Sequence, residues 1–166
     1  MSHDARWFAA AALAGGMELA NRLNRMAARE EGKAEARRIA GALGLARARS
    51  LDDWLLTQAI LIGLLGPDLL DYRVSRVSDS ACRVSVERCF AHDQVVRAGV
   101  VAEYECGIFE RVGGWLEGLG VAHEMSPPLG KCLKAQGRDC VYTVSLSPAT
   151  GNQGVEKPGV KIGSGD

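Results

Sequence analysis

Between Leu70 and Glu87 the chain alternates apolar and polar residues, after a long stretch patterned as helix, and that change of period limits the fold most. Leu70, Tyr72 and Val74 alternate with Asp71, Arg73 and Ser75, and Cys82, Val84 and Val86 alternate with Arg83, Ser85 and Glu87. Ser78-Asp79-Ser80 between the two runs is turn chemistry. The pattern predicts a β-hairpin with one wet face and one buried face. Cys82 shares the apolar face with two valines and reads as core. A sheet of this kind must be covered by helices, and the flanking segments supply them. The predicted fold is α+β: N-terminal helices packed on a small antiparallel sheet, with a Gly-rich helix crossing it.

Residues 4 to about 46 read as helix, because Trp7, Phe8, Ala11, Met17, Leu19, Leu23, Met26 and Ile39 recur at steps of three and four. Gly15-Gly16 marks a bend. Glu30, Glu31 and Glu35 set against Lys33, Arg37 and Arg38 read as a solvated face laced with ion pairs. Asp4 stands where an export signal would carry basic charge, and the helical pattern runs on past Ala12-Leu13-Ala14, so the segment reads as folded helix. A second helix, Leu51 to Leu65, has Ser50 as its cap and Gly66-Pro67 as its stop. It has almost no polar face, which predicts a central core helix or a homodimer element.

A third helix is predicted from about Glu103 to Leu119, with Ile108, Val112, Trp115 and Leu119 on one stripe. Gly107, Gly113, Gly114 and Gly118 would let another backbone or a ligand come close. Phe109, Gly113, Trp115 and Tyr142 are the candidate ligand-binding residues. Val121 to Met125 reads as a strand and Cys140 to Leu146 as the last one. Residues 1–147 form one domain, with a helical part over 1–66 and a hairpin–helix–strand part over 67–147; residues 148–166 read as a flexible tail.

Lys and Arg together number 20, as do Asp and Glu, so net charge is near zero. That argues against nucleic acid or an acidic membrane surface as the partner. No run approaches the roughly 18 to 20 apolar residues of a membrane span. No phosphate-binding loop, nucleophile elbow or H-E-x-x-H motif is present. The five cysteines are an odd set, which fits reduced thiols in the cytoplasm, metal ligands or both, rather than a secreted disulfide framework.

Three of those cysteines stand where secondary structure changes. Cys106 opens a helix, where the N-terminal partial charge favours a thiolate. Cys132 and Cys140 flank a loop containing Gly137 and could present two thiolates to one ion. Zinc asks for four ligands. Glu103, His123, Glu124, Cys89 and His92 are the candidates for the fourth, with His123 placed between Cys106 and Cys132 in sequence. The candidate metal set is Cys106, Cys132, Cys140 and His123. The same helix-terminal position suits a reactive thiol at Cys106 as well as a metal ligand, with the catalytic residues left open between Cys106 and His123.

The run Cys106-Gly-Ile-Phe-Glu-Arg-Val-Gly-Gly-Trp-Leu-Glu-Gly-Leu-Gly120, then Cys132 and Gly137-Arg-Asp-Cys140-Val-Tyr-Thr-Val144, resembles the 4-vinyl-reductase-type domain over about residues 70 to 147. The resemblance implies a small-molecule-binding domain for apolar, aromatic or tetrapyrrole-like ligands. It also implies a structural zinc on Cys106, Cys132 and Cys140 beside an acidic ligand. The acid is expected three positions before the second cysteine, where this chain has Leu129. In layout the chain is also similar to the thiazoline-carboxylate hydrolase family, through Trp7-Phe8, Glu35-Ala-Arg-Arg38, the Leu-rich helix and the closing Gly-x-x-Cys. That likeness implies hydrolytic opening of a small sulfur heterocycle, with Cys106 or Cys140 as nucleophile and His92 or His123 as base.

Overall fold

The computed structural model describes residues 3–45, 48, 50–66 and 68–147. Pro67 and the tail expected over 148–166 lie outside the described residues. The elements are α1 (His3–Ala42), α2 (Leu51–Leu65), β1 (Leu70–Arg76), β2 (Ala81–Cys89), α3 (Phe90–Arg97), α4 (Gly107–Gly118), β3 (His123–Ser126), a 3-10 turn (Lys134–Gln136) and β4 (Val141–Leu146). The strands make one antiparallel sheet in the order β1-β2-β4-β3. The fold is α+β as the pattern predicts.

The hairpin alternation sets which face is wet. Cys82, Val84 and Val86 of β2 and Tyr142 and Val144 of β4 are buried on one face, while Arg73, Arg83 and Glu87 are exposed on the other. The apolar face is covered by α4, whose Phe109, Val112 and Leu116 are fully buried. Phe109 packs against Tyr142 with ring centroids 3.9 Å apart and stacks on Tyr72 at 6.5 Å. The Trp54 indole of α2 faces the Cys82 thiol from the same side of the sheet.

One expectation is refined and one corrected. Of the two readings of α2, core helix or homodimer element, the core one holds in that Leu51, Trp54 and Leu61 are buried, but the helix over the middle of the sheet is α4. α2 lies beside the edge strand β1, with Leu56 and Leu64 left 53% and 73% exposed. The charged stretch of α1 is also not simply a solvated face. Glu30–Lys33 and Glu31–Arg38 are surface pairs as expected. Arg25, Arg29 and Glu35, however, face α4: Arg25 and Arg29 both donate to the buried Glu110 carboxylate, at 2.8 and 2.6 Å, and the Trp115 indole donates to Glu35 at 2.9 Å.

Glycine decides this helix pairing. A Cβ on Gly32 would stand 2.3 Å from the Arg111 carbonyl oxygen, and one on Gly114 would stand 2.2 Å from that of Arg29. The two backbones therefore touch, and the side chains flanking the contact are drawn into ion pairs across it. Gly16, at φ 79°, breaks α1 where Gly15-Gly16 marks a bend. Ser50 caps α2 by accepting from the Asp53 N–H at 3.2 Å, and Gly66 ends it at φ 83°.

Candidate metal centre and binding groove

Four cysteines from separate segments line one cavity. Cys89 ends β2 and immediately precedes α3, Cys106 immediately precedes α4, Cys132 precedes the 3-10 turn, and Cys140 leads into β4. Backbone pairing brings them there. The stretch before α4 forms a two-residue ladder instead of the helical turn expected from Glu103: Cys106 N–H donates to Gly130 O at 2.8 Å and Cys132 N–H to Tyr104 O at 3.2 Å. Gly137, in the left-handed region at φ 68°, turns the chain back toward Cys140. The Cys140 carbonyl accepts from Val86 N–H at 2.9 Å, and Lys134 Nζ donates to Glu87 O at 2.7 Å, tying this loop to the end of β2.

The cavity is about 10 Å³ and is completed by Val86, His92, Tyr104, Ile108, Phe109 and Lys134. That is about the minimum that admits a single water-sized sphere. All four thiols are buried, at 5 to 9% exposure. Burial pushes Cys106 up to about 12, against the favourable Phe109 N–H, and the thiols of Cys89, Cys132 and Cys140 raise it further. Burial likewise pushes Cys140 up to about 12, with Cys89 and Cys132 adding to it and Lys134 opposing. Cys89 is raised by burial although it faces the N–H groups of His92 and Ala91. The Tyr142 hydroxyl is buried with no hydrogen-bond partner, within electrostatic reach of Cys106, Cys140 and Cys132.

In kind these donors suit zinc, being soft thiols at the ends of rigid elements. As placed, no three His, Cys, Asp or Glu side chains among the described residues are gathered tightly enough to hold an ion. Cys106, Cys132 and Cys140 border the same cavity, as does Cys89. His123 does not join them. It lies on the edge strand β3 opposite Leu146, six residues along β4 from Cys140, which is about 20 Å of strand. Its Nδ1 lies 3.1 Å from Val121 O, and its other nitrogen borders Gly113. Sequence order put His123 between two cysteines, but the β3–β4 register carries it to the other end of the sheet. It is thereby removed both as fourth ligand and as a base for Cys106.

The four residues expected to bind a ligand do not form a pocket together. Phe109 and Tyr142 are core, with Phe109 also bordering the cysteine cavity, Trp115 is held at the α1–α4 contact, and Gly113 adjoins Arg29 and His123. A larger groove of about 480 Å³ opens elsewhere, between α2 and β1, lined by Leu55, Gln58, Ala59, Ile62, Gly63, Tyr72, Val74 and Arg76. Its volume and apolar walls suit a small molecule. Its polar groups are the Tyr72 hydroxyl, which donates to Gln58 Oε1 at 2.9 Å, and the Arg76 guanidinium, paired with Asp52 at the rim. The signal for it was present in sequence: Ala59 and Gly63 are small residues four apart, and Gln58 interrupts an apolar helix. No helix among the described residues is long and apolar enough to cross a membrane. Neither a family model, a curated protein nor a solved structure matches the chain.

Proposed function

We propose that the chain is a small-molecule-binding domain of the vinyl-reductase type, stabilised by a cysteine-bound zinc, with the α2–β1 groove as the place where an apolar or aromatic ligand binds. The observation that carries this reading is the convergence of Cys106, Cys132 and Cys140 on one ion-sized cavity. Zinc supplies the cross-link that joins the start of α4, the loop after Leu129 and the start of β4. The protein's own residues bring the thiols together, exclude water from them and offer backbone N–H groups and Lys134 to offset their charge. Five free thiols suit a reducing compartment such as the cytoplasm. On this reading the outward leucines of α2, Leu56 and Leu64, pair with a second copy.

The alternative, a cysteine hydrolase, draws less support. A cavity of about 10 Å³ cannot admit a heterocycle.

Metal analysis of the purified chain tests the proposal. About one zinc per chain is expected, with melting temperature falling when a chelator removes it and falling likewise in Cys106→Ser, Cys132→Ser and Cys140→Ser. A metal-free protein whose melting temperature ignores both chelator and added zinc refutes it. For the groove, the probe is 1-anilinonaphthalene-8-sulfonate. Its fluorescence should rise on mixing with the wild-type chain and not with Ala59→Trp, which fills the groove; equal enhancement by both chains removes the groove as the site.

A further inference from the structure

We infer that Cys89 is the fourth protein ligand, so that this chain closes its metal centre with four thiolates drawn from four separate elements. The inference rests on the zinc reading above and adds a ligand that neither the spacing nor the resemblance assigns. The position where the resembled family carries its acid is Leu129, whose side chain packs against the apolar core and offers no donor. The remaining ligand must come from elsewhere in the fold.

The alternatives fall away on position. Glu103 and Glu124 are exposed, and Glu124 sits on the same edge strand as His123. His92 does border the cavity, but its side chain is 23% exposed and its Nδ1 is turned to Asp93 at 3.6 Å. Cys89 borders the same cavity, is 8% exposed, and is the last residue of β2, held by its pairing with Leu70. The sheet fixes its backbone, and its thiol faces the N–H groups of His92 and Ala91 at the start of α3.

Charge balance favours the fourth thiolate as well. Four thiolates around a divalent ion leave a charge of about −2, which a buried site must offset. Two helix N-termini, α3 behind Cys89 and α4 behind Cys106, each bring about half a positive charge. The Lys134 ammonium, held on the Glu87 carbonyl, supplies a full one within electrostatic reach of Cys140. The Tyr142 hydroxyl, buried and without a partner, is a hydrogen-bond donor that an anionic sulfur cluster would satisfy and that neutral thiols satisfy poorly. As the ion binds, the four thiols release four protons to the buffer and four metal–sulfur bonds form.

The test uses the full chain loaded with Co(II) as a spectroscopic stand-in and with zinc for X-ray absorption. The wild type should show a tetrahedral cobalt spectrum and an all-sulfur shell of four. Cys89→Ser should read three sulfurs and lose more than the roughly 10- to 100-fold in zinc affinity that outer-shell changes cost, while His92→Ala keeps the four-sulfur spectrum. A wild-type shell of three sulfurs with one nitrogen or oxygen overturns the role of Cys89 and leaves the zinc reading standing. A full sulfur count in Cys89→Ser overturns it equally. A wild type that binds neither ion overturns both. Because the wild-type shell decides the count, the outcome does not depend on Cys89→Ser folding.

Discussion

Gly113 and Gly114 are neighbours on the same buried helix, yet replacing each by alanine should have different effects. The common gain is helix propensity, about 1 kcal/mol for Gly→Ala in a helix interior. At Gly113 a new Cβ meets Arg29 Nη1 at 3.6 Å and His123 Nε2 at 3.7 Å, ordinary contact with side-chain atoms that can shift. At Gly114 it meets backbone: the Arg29 carbonyl oxygen at 2.2 Å, its carbon at 3.0 Å and the Lys33 nitrogen at 3.1 Å. Relief requires α1 to withdraw by roughly 1 Å, since carbon and its neighbours rest about 3.5 Å apart. Withdrawal stretches the Arg25–Glu110, Arg29–Glu110 and Trp115–Glu35 hydrogen bonds together. Overpacking costs about 1–3 kcal/mol, and the propensity gain cancels between the two variants, so their stabilities should differ by about that much. For a chain of this length that is a gap of about 2–12 °C in melting temperature, with Gly113→Ala at or above the wild type and Gly114→Ala below Gly113→Ala. Differential scanning calorimetry on the three proteins reads it. A Gly114→Ala protein as stable as Gly113→Ala refutes the close backbone contact between α1 and α4.

The acid limb of stability should carry the mark of Glu117. Arg29, against opposing burial and aided by Lys33, holds its carboxyl at about 2, below the unfolded value of about 4.3. Its contribution is therefore complete above that unfolded value and is lost as pH falls toward 2. Glu117→Gln should flatten the urea midpoint across that window, and an unchanged slope counts against the ion-pair geometry. Tyr72→Phe should cost about 1–3 kcal/mol by leaving the buried Gln58 oxygen without its donor. Adding Gln58→Leu should recover part of that loss in urea titrations, and strict additivity of the two changes would exclude the bond. Iodoacetamide at pH 8 should modify the native cysteines far more slowly than the urea-unfolded ones, since all are buried. One cysteine that labels at the rate of a free thiol in the native protein would point back to the hydrolase reading.

The fold class was legible because periodicity is a local property. Alternation from Leu70 to Glu87 wrote a one-sided hairpin, and three- and four-residue spacing wrote the helices that cover it. Cys106, Cys132 and Cys140 stood out for a related reason, since each sits where one element gives way to another. Partnership across the chain was not legible. Nothing in the run of charges on α1 announces that Arg25, Arg29 and Glu35 face another helix, because that depends on Gly32 and Gly114 meeting about 80 residues apart. Nor does an apolar helix say whether it will hold the middle of a sheet or its edge, and α4 took the middle from α2. His123 and Cys89 show the same division. Order in the chain favoured His123, lying between two of the cysteines. The antiparallel register of β3 on β4 sends it about 20 Å along the sheet, and the end of β2 brings Cys89 to the cavity instead. Sequence determined which residues could be ligands and on which kind of element each would lie. Tertiary structure decided which of them meet, because strand register and helix contact are set by pairings far apart in the chain.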